Sequence, residues 1–432
     1  MPMYADVTVP TAFLVIAILA ILVQSLLLFL ALFGPGLRYR TRHTELQDMD
    51  PAEFLRTLAA VTDAHPNYHT ELDVFTNGEQ FYEAELAEIA RARRTINIEA
   101  YIFRPGEVAR QFVAALAERA RAGVEVRIVL DGIGSFRTTA RDFAPVLTAG
   151  GKLSFYHPLR LTTIPRYNNR THRELVIVDG ETAFVGGAGF ADNWLLSRPG
   201  HPRWRDTMIR VRGRAVTSLQ GTFVENWLEA SGEMIAGDAH FPDCDPAGGS
   251  PTIVVNSTPS AGGSTRARML FQMLLASARE SIHLTTPYFL PDASLADELK
   301  RAVARGVEVL VLVPGPHSDQ LLTRRTSRLA YGRLLPHGVR IFEYRPAMLH
   351  AKVLLVDRRW AVVGTTNFDN RSFGLNDEVN LASCDPAFAS RLEEDFVADL
   401  AQAVEVTHEA WKNRGLLERG TEMIGWLLER QQ

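Results

Sequence analysis

Apolar residues run almost unbroken from Thr11 to Phe33 in TAFLVIAILAILVQSLLLFLALF, with Gln24 and Ser25 as the only strongly polar breaks. About 20 such residues form a helix long enough to cross a bilayer. The run also lacks the polar face that a helix at the surface of a core would show. Residues 11–33 are therefore predicted to be a transmembrane helix. Beyond it, short apolar runs alternate with amphipathic stretches. TINIEAYIF from Thr95 and SIHLTTPYF from Ser281 read as strands, VARQFVAALAERARA and LADELKRAVAR as helices, and GVEVRIVLDG (123–132) and GVEVLVLVPG (306–315) as strands again. A further strand follows in each half, opening HRELVIVDG or HAKVLLVDR. Ordered matches across several elements mark an internal duplication. The expected fold is α/β: two similar lobes, each a mixed β-sheet flanked by helices that cover both faces.

This pattern predicts a juxtamembrane tether over 34–70, lobe 1 over 71–240, lobe 2 over 252–415 and a tail over 416–432. The junction is AGDAHFPDCDPAGGSPT, Ala236 to Thr252, rich in Gly, Pro and Asp and without periodicity. The tail is apolar at Met423, Ile424, Trp426, Leu427 and Leu428, so it packs against the body or touches lipid. Arg38, Arg40 and Arg42 follow the apolar run, whereas only Asp6 is charged before it. The positive-inside rule then predicts a single-pass cell-membrane protein with cytoplasmic lobes. No Lys or Arg precedes the run, which is also too long for the apolar core of a signal peptide. Asn-x-Ser/Thr triplets at Asn169, Asn256 and Asn370 point the other way, but two lie in motif regions where a glycan would obstruct a site.

Composition narrows the class. Apolar residues at 46%, charged residues at 22% and a net charge of -4 describe a globular protein without the basic surplus of a nucleic-acid binder, so no nucleic-acid partner is expected. Cys244 and Cys384 carry no CxxC or metal-ligand spacing and read as reduced and structural.

The chemistry lies in His350, Lys352 and Asp357, spaced HxKx4D, and in a second copy at His172 and Asp179 that has Glu174 in the lysine position. A lone histidine is more often structural than catalytic; an ordered motif met twice is not. Alternation along an extended strand puts His350 and Lys352 on one face. A neutral imidazole can attack phosphorus while a second imidazolium protonates the leaving alkoxide. Lysine adds fixed positive charge for the phosphate oxygens, and Thr365, Thr366 and Asn367, on the turn after the next strand, are candidates for neutral donors.

These residues resemble the phospholipase D superfamily, and within it the bacterial cardiolipin synthases. The resemblance runs from about Glu71 to Val404 and includes IEAYIF, WRD at Trp204–Asp206, and GTTNFDNRSFGLNDE from Gly364 to Glu378. It implies a phosphatidyltransferase working on phosphatidylglycerol at the bilayer, with His172 as nucleophile, His350 as acid and base, and neither metal nor organic cofactor. A phosphatidyl-histidine would be resolved by a hydroxyl of a second phosphatidylglycerol. The resemblance also implies an acidic residue that orients each histidine: Glu378 for His350 and Asp206 for His172. Asp179 and Asp357 are expected to be structural supports.

Two positions depart from that pattern. Glu174 replaces lysine, and Gly189 stands where the second half has Asn367. Loss of one preorganised donor costs on the order of 3 kcal/mol, or about 10²- to 10³-fold in rate. Three readings fit. Arg170, two residues before His172, supplies the missing charge; Glu174 binds a substrate hydroxyl or pairs with an arginine such as Arg166; or the first half is degenerate. Retention of His172, Asp179 and Asp206 favours compensation. Use of His350 as the nucleophile is the inverse arrangement. Hydrolysis by the same residues and a lipid-binding pseudoenzyme are the competing functions. Arg160, Arg166, Arg170, Arg173, Arg203 and Arg205 around the first motif, and Arg324, Arg325 and Arg328, read as headgroup ligands or as solvated surface.

Overall fold

The computed structural model describes residues 11–33, 39, 41, 43–160, 163, 166–243, 249–260 and 265–415. Lobe 1 contains β1 (Thr70–Thr76), β2 (Thr95–Ala100), β3 (Glu125–Asp131), β4 (Lys152–Tyr156), β5 (Arg170–Thr171), β6 (Leu175–Val178), β7 (Thr182–Gly186) and β8 (Thr207–Gly213). Lobe 2 contains β9 (Thr252–Ser257), β10 (Ser281–Thr285), β11 (Glu308–Pro314), β12 (Arg340–Tyr344), β13 (Val353–Val356), β14 (Trp360–Gly364), β15 (Asn376–Cys384) and β16 (Ala403–Glu405). The first sheet runs β1-β8-β7-β6-β2-β3-β4, and the second β16-β12-β11-β10-β13-β14-β15, with β9 also on β15. Parallel pairing is confined to β2–β3–β4 and β10–β11–β12 within the lobes, so both sheets are mixed and built to one plan. Strand β5 leaves its own lobe and pairs in parallel with β15 of the other, Arg170 beside Asn376 and Thr171 beside Asp377.

Period-two alternation explains why these strands read as continuous apolar runs. In β11, Val309, Val311 and Val313 enter the outer core of lobe 2, while Leu310 and Leu312 enter a core shared by both lobes. In β6, Val176 and Val178 face the outer core of lobe 1, while Leu175 and Ile177 face the shared one. Helices Gly78–Arg91 and Glu107–Arg121 cover the outer face of lobe 1, and Arg266–Ser277 and Ala293–Ala304 that of lobe 2. The inner faces meet each other, together with helices Ala215–Ser231 and Pro386–Leu400. The expectation of helices on both faces therefore holds in full for the outer sides, whereas each inner face is covered by one helix and by the opposite lobe. Each lobe serves as the cover of the other, because a sheet apolar on both faces must bury both.

The segment expected as a tether is partly folded onto lobe 2. Asp50 caps helix Pro51–Thr62 by accepting from the Glu53 N–H at 2.8 Å, and Pro51 opens it with its φ already helical. Phe54, Leu55, Leu58 and Ala59 then pack into the outer core of that lobe. Residues Thr11–Phe33 form a helix with exposed apolar side chains from Phe13 to Leu26. Its side chains are described only as far as Leu26, and among the described residues no helix is long and apolar enough to cross a membrane. Arg38, Arg40, Arg42, Cys244 and the tail 416–432 lie outside the described residues.

Candidate active site

Both histidine motifs lie just before a strand, in extended lead-ins to β6 and β13. Because β6 runs antiparallel to β2, and β13 to β10, these lead-ins sit beside the C-terminal ends of the parallel strands. Each strand ends in an aspartate with positive φ, 54° at both Asp179 and Asp357. Asp179 accepts the backbone N–H groups of Arg93, Arg94 and Thr95, and Asp357 those of Arg279, Glu280 and Ser281. These carboxylates pin the starts of β2 and β10, at the far end of the sheet from the histidines.

The two lobes exchange main-chain bonds at the histidines. His172 N–H donates to the Asp377 carbonyl at 2.9 Å, and His350 N–H donates to the Arg205 carbonyl at 2.7 Å. The next residues along, Glu378 and Asp206, are buried carboxylates at equivalent registers on β15 and beside β8. His172 Nδ1 lies 3.1 Å from both oxygens of Glu378. His350 Nδ1 lies 2.8 Å from Asp206 Oδ2. This reverses the expected partnership. Each acidic residue serves the histidine of the opposite lobe, because the β15–β5 pairing and the Arg205–Leu349 bridge carry each carboxylate across the interface.

The pockets around the two imidazoles differ. Asp206 also accepts from Trp194 Nε1 at 2.8 Å and from the Thr207 N–H at 2.8 Å. Trp194 and Trp204 flank the His350 ring at centroid distances of 5.4 and 5.2 Å. Lys352 Nζ lies 2.9 Å from His350 Nδ1 and 3.2 Å from Nε2. Burial and the Lys352 charge hold the His350 imidazole below its ordinary pKa, against the pull of Asp206. Burial likewise lowers Lys352, opposed by Asp206, Glu378 and Glu174. Burial works against the Asp206 carboxylate, yet His350 and Lys352 together hold its pKa below the usual range. On the other side, Tyr101 meets the His172 ring edge-on at 5.0 Å. Glu378 is fixed by Thr365 Oγ1 at 2.5 Å and Asn376 Nδ2 at 3.3 Å.

Among the other expected ligands, Thr365 supports Glu378 rather than standing free for a substrate. Thr366 Oγ1 accepts from Asn380 at 2.8 Å. Asn367 Oδ1 is buried with no hydrogen-bond partner among the described residues. Arg170 does not replace the missing lysine: its guanidinium bonds to Asp131 at 3.4 Å and to the carbonyls of Asn169 and His157. Arg166 pairs with Glu229, not Glu174. Glu174 accepts the Ile102 N–H through Oε1 at 3.2 Å, while Oε2 is buried without a partner among the described residues. Burial pushes its carboxyl well above the usual range, despite the Ile102 N–H and the Lys352 charge. Gly189 is coupled to it, since a Cβ there would lie 2.8 Å from Glu174 Oε1 and 2.5 Å from the Ile102 carbonyl. The two departures are one steric unit. Arg173, Arg203, Arg205, Arg324 and Arg328 all face carboxylates, which leaves Arg160 and Arg325 of the expected headgroup ligands exposed and without an ion pair among the described residues. Trp194 and Tyr101 are not singled out as site residues by the sequence: Tyr101 lies within IEAYIF, 71 residues before His172, and Trp194 stands 156 residues before the histidine it flanks.

A family model described as cardiolipin synthase, PLD-like domain, matches residues 86–211 and 271–400. The chain belongs to the cardiolipin synthase family. It is 36% identical over 361 residues to the major cardiolipin synthase ClsA of Bacillus subtilis (strain 168), covering 83% of this chain and 74% of that protein. A cardiolipin synthase of Listeria monocytogenes serotype 4b (strain CLIP80459) is 33% identical over the same span of 361 residues, with 83% and 74% covered. Among solved structures, the phosphatidylserine synthase of Haemophilus influenzae Rd KW20 aligns with a TM-score of 0.66 at 13% identity, covering 87% of this chain and 96% of that one. At that identity the likeness concerns the fold, and it confirms the mixed α/β architecture. As a cardiolipin synthase family member, the protein is an enzyme of the phospholipase D superfamily.

Proposed function

We propose that this protein is a membrane-anchored phosphatidyltransferase that joins two phosphatidylglycerol molecules into cardiolipin and releases glycerol. The observation that carries this reading is a pair of imidazoles from two lobes, each held at Nδ1 by a carboxylate of the other, with the Lys352 charge felt by both carboxylates. A carboxylate that accepts the Nδ1 proton leaves the lone pair on Nε2, the nitrogen that must reach phosphorus. In the first step Nε2 of one histidine forms a bond to phosphorus and the bond to the glycerol oxygen breaks. That oxygen takes a proton from the second imidazolium. In the second step a hydroxyl of another phosphatidylglycerol gives its proton to the second imidazole, its oxygen bonds to phosphorus, and the histidine departs. One phosphodiester replaces another, so the step balances without a nucleotide.

His172 as nucleophile and His350 as acid and base is the assignment the family resemblance implies. One observation favours the inverse: burial and Lys352 keep His350 toward its neutral form, which is the form a nucleophile needs. Burial pushes the Glu174 carboxyl toward its neutral form, which adds a hydrogen-bond donor rather than a repelling charge beside Lys352. Thr11–Phe33 is the single membrane span, with the lobes on the cytoplasmic side, on the strength of its apolar sequence, broken only at Gln24 and Ser25, and the arginines after it.

Purified full-length protein in phosphatidylglycerol vesicles is expected to yield cardiolipin and glycerol in equal amounts. Phosphatidic acid without cardiolipin would instead identify a hydrolase, and absence of turnover a lipid-binding pseudoenzyme. Glu174→Gln retains a neutral donor and is expected to keep activity within about tenfold, whereas Glu174→Ala loses about 10²- to 10³-fold. Glu174→Lys buries a second cation beside Lys352 and is expected to lose activity as well. A gain on lysine substitution would show that Glu174 is a defect.

A further inference from the structure

The parallel strands β2, β3 and β4 end at the edge that holds His172, and the loops that follow them form its rim. Gly132 packs on Pro158, where a Cβ would lie 2.5 Å from the proline Cα, and Gly134 packs on Tyr101. The loops after β3 and β4 are thus in contact, and the first abuts the residue that meets His172. On this rim Phe136 is 68%, Leu159 67% and Tyr167 52% exposed. Each has an arginine as sequence neighbour: Arg137, Arg160 and Arg166. Arg137 stacks over the Phe136 ring at 5.4 Å, and Arg166, although paired with Glu229, keeps 65% of its side chain in solvent. Isolated exposed apolar residues need no explanation. Three apolar-arginine pairs on contiguous loops, around one site, do.

A second observation comes from lobe 2. The Tyr39 N–H donates to Ser294 Oγ at 3.0 Å, and the Arg268 guanidinium lies 4.3 Å over the Tyr39 ring. Ser294 is in the first turn of helix Ala293–Ala304, which follows β10 and so begins at the edge where β13 and His350 start. From Phe33, the last residue of the apolar helix, to Tyr39 is six residues, a reach of about 20 Å at full extension. The apolar helix is therefore moored at the histidine edge of the molecule.

We infer that this edge docks on an anionic bilayer, with Phe136, Leu159 and Tyr167 entering the headgroup region and Arg137, Arg160 and Arg166 meeting lipid phosphates. The inference rests on the reading of Thr11–Phe33 as a membrane span. Apolar side chains with neighbouring arginines suit an interface that is apolar inside and anionic at its surface. The docked edge would open the histidines directly to lipid headgroups.

The test uses the full-length protein in vesicles of phosphatidylglycerol and phosphatidylcholine, in a Cys244→Ser, Cys384→Ser background. An environment-sensitive fluorophore is attached to single cysteines at 136, 159, 167 and, on the opposite edge, 181. Lipids carrying a nitroxide quencher are expected to quench the three rim labels and to leave the label at 181 unquenched. Rim labels that respond only to an aqueous quencher, in vesicles that still form cardiolipin, would overturn the docking and leave the proposed function intact. Quenched rim labels without transfer would uphold the docking and sink the function. A triple Phe136→Ser, Leu159→Ser, Tyr167→Ser variant is expected to lose at least about tenfold in turnover on vesicles and less than about twofold on monomeric short-chain phosphatidylglycerol. Equal loss on both substrates would also overturn the inference.

Discussion

His172 and His350 are held by carboxylates of unequal length and unequal company. Asp206 gathers His350, Trp194 and a backbone N–H, all at 2.8 Å. Glu378 gathers His172, Thr365 and Asn376. Asp206→Asn removes an acceptor of the His350 Nδ1 proton and frees the ring to take the other tautomer. Turnover is expected to fall about 10²- to 10⁴-fold, the range of a general acid or base, with the fold unchanged by circular dichroism. If Asp206 served His172, the variant would instead shift the titration of His172 in an NMR pH series while that of His350 stayed put. The histidines, Lys352 and the two motif aspartates are legible in the sequence because a local spacing encodes them. The acid partners are not, since spacing carries no information about which lobe a carboxylate will face. Arg170 was misjudged for a related reason: strand alternation gives a face, but Asp131 on β3 captures the guanidinium before it can reach a phosphate.

At the scale of elements, strands and helices follow from the apolar pattern, and what refines them is how their ends are fastened. Asp357 holds the start of β10 through three backbone N–H groups, and a positive φ of 54° is the geometry that lets it turn back on them. Hydrogen bonds to a charged acceptor contribute about 1.5–3 kcal/mol each, well below additively. Asp357→Ala is therefore expected to destabilise the protein by about 2–4 kcal/mol, measured by the urea midpoint, while folded molecules retain turnover. A variant of wild-type stability that has lost turnover would make Asp357 a participant in the chemistry. Folding of Pro51–Thr62 onto lobe 2 was written in its periodicity, at Phe54, Leu55, Leu58 and Ala59. Its sequence position between a predicted membrane helix and a domain suggests a linker, and position is weaker evidence than an apolar stripe.

Across the whole molecule, one interface does the work of two domain surfaces. Arg173 of lobe 1 reaches Asn256 of lobe 2 at 2.5 Å, Arg205 reaches Asp399 at 2.9 Å, and Tyr156 donates to Asp377 at 2.7 Å. Glu99 lies in this network, bonded to Thr171 at 2.5 Å and Asn226 at 2.6 Å. Burial raises its carboxyl to about 7, with Arg173 opposing, and burial raises Asp377 to about 6. The folded state thus keeps protons that the unfolded chain releases near pH 4.5 for Glu99 and 3.8 for Asp377, so each contribution is complete below that pH. It is lost as the pH rises toward 7. For Glu99 the difference is on the order of 3 kcal/mol. The urea midpoint is expected to fall between pH 5 and 8, and Glu99→Gln to flatten that slope; an unchanged slope would show that Glu99 is not the titrating group. The exchange of carboxylates across this interface has a hereditary consequence. A gene that lost either repeat would still encode a histidine, a sheet and a set of helices, but that histidine would lack its acid. The two repeats can therefore diverge in sequence, as Glu174 and Lys352 have, yet they are inherited as a single unit of selection, each the condition for the usefulness of the other.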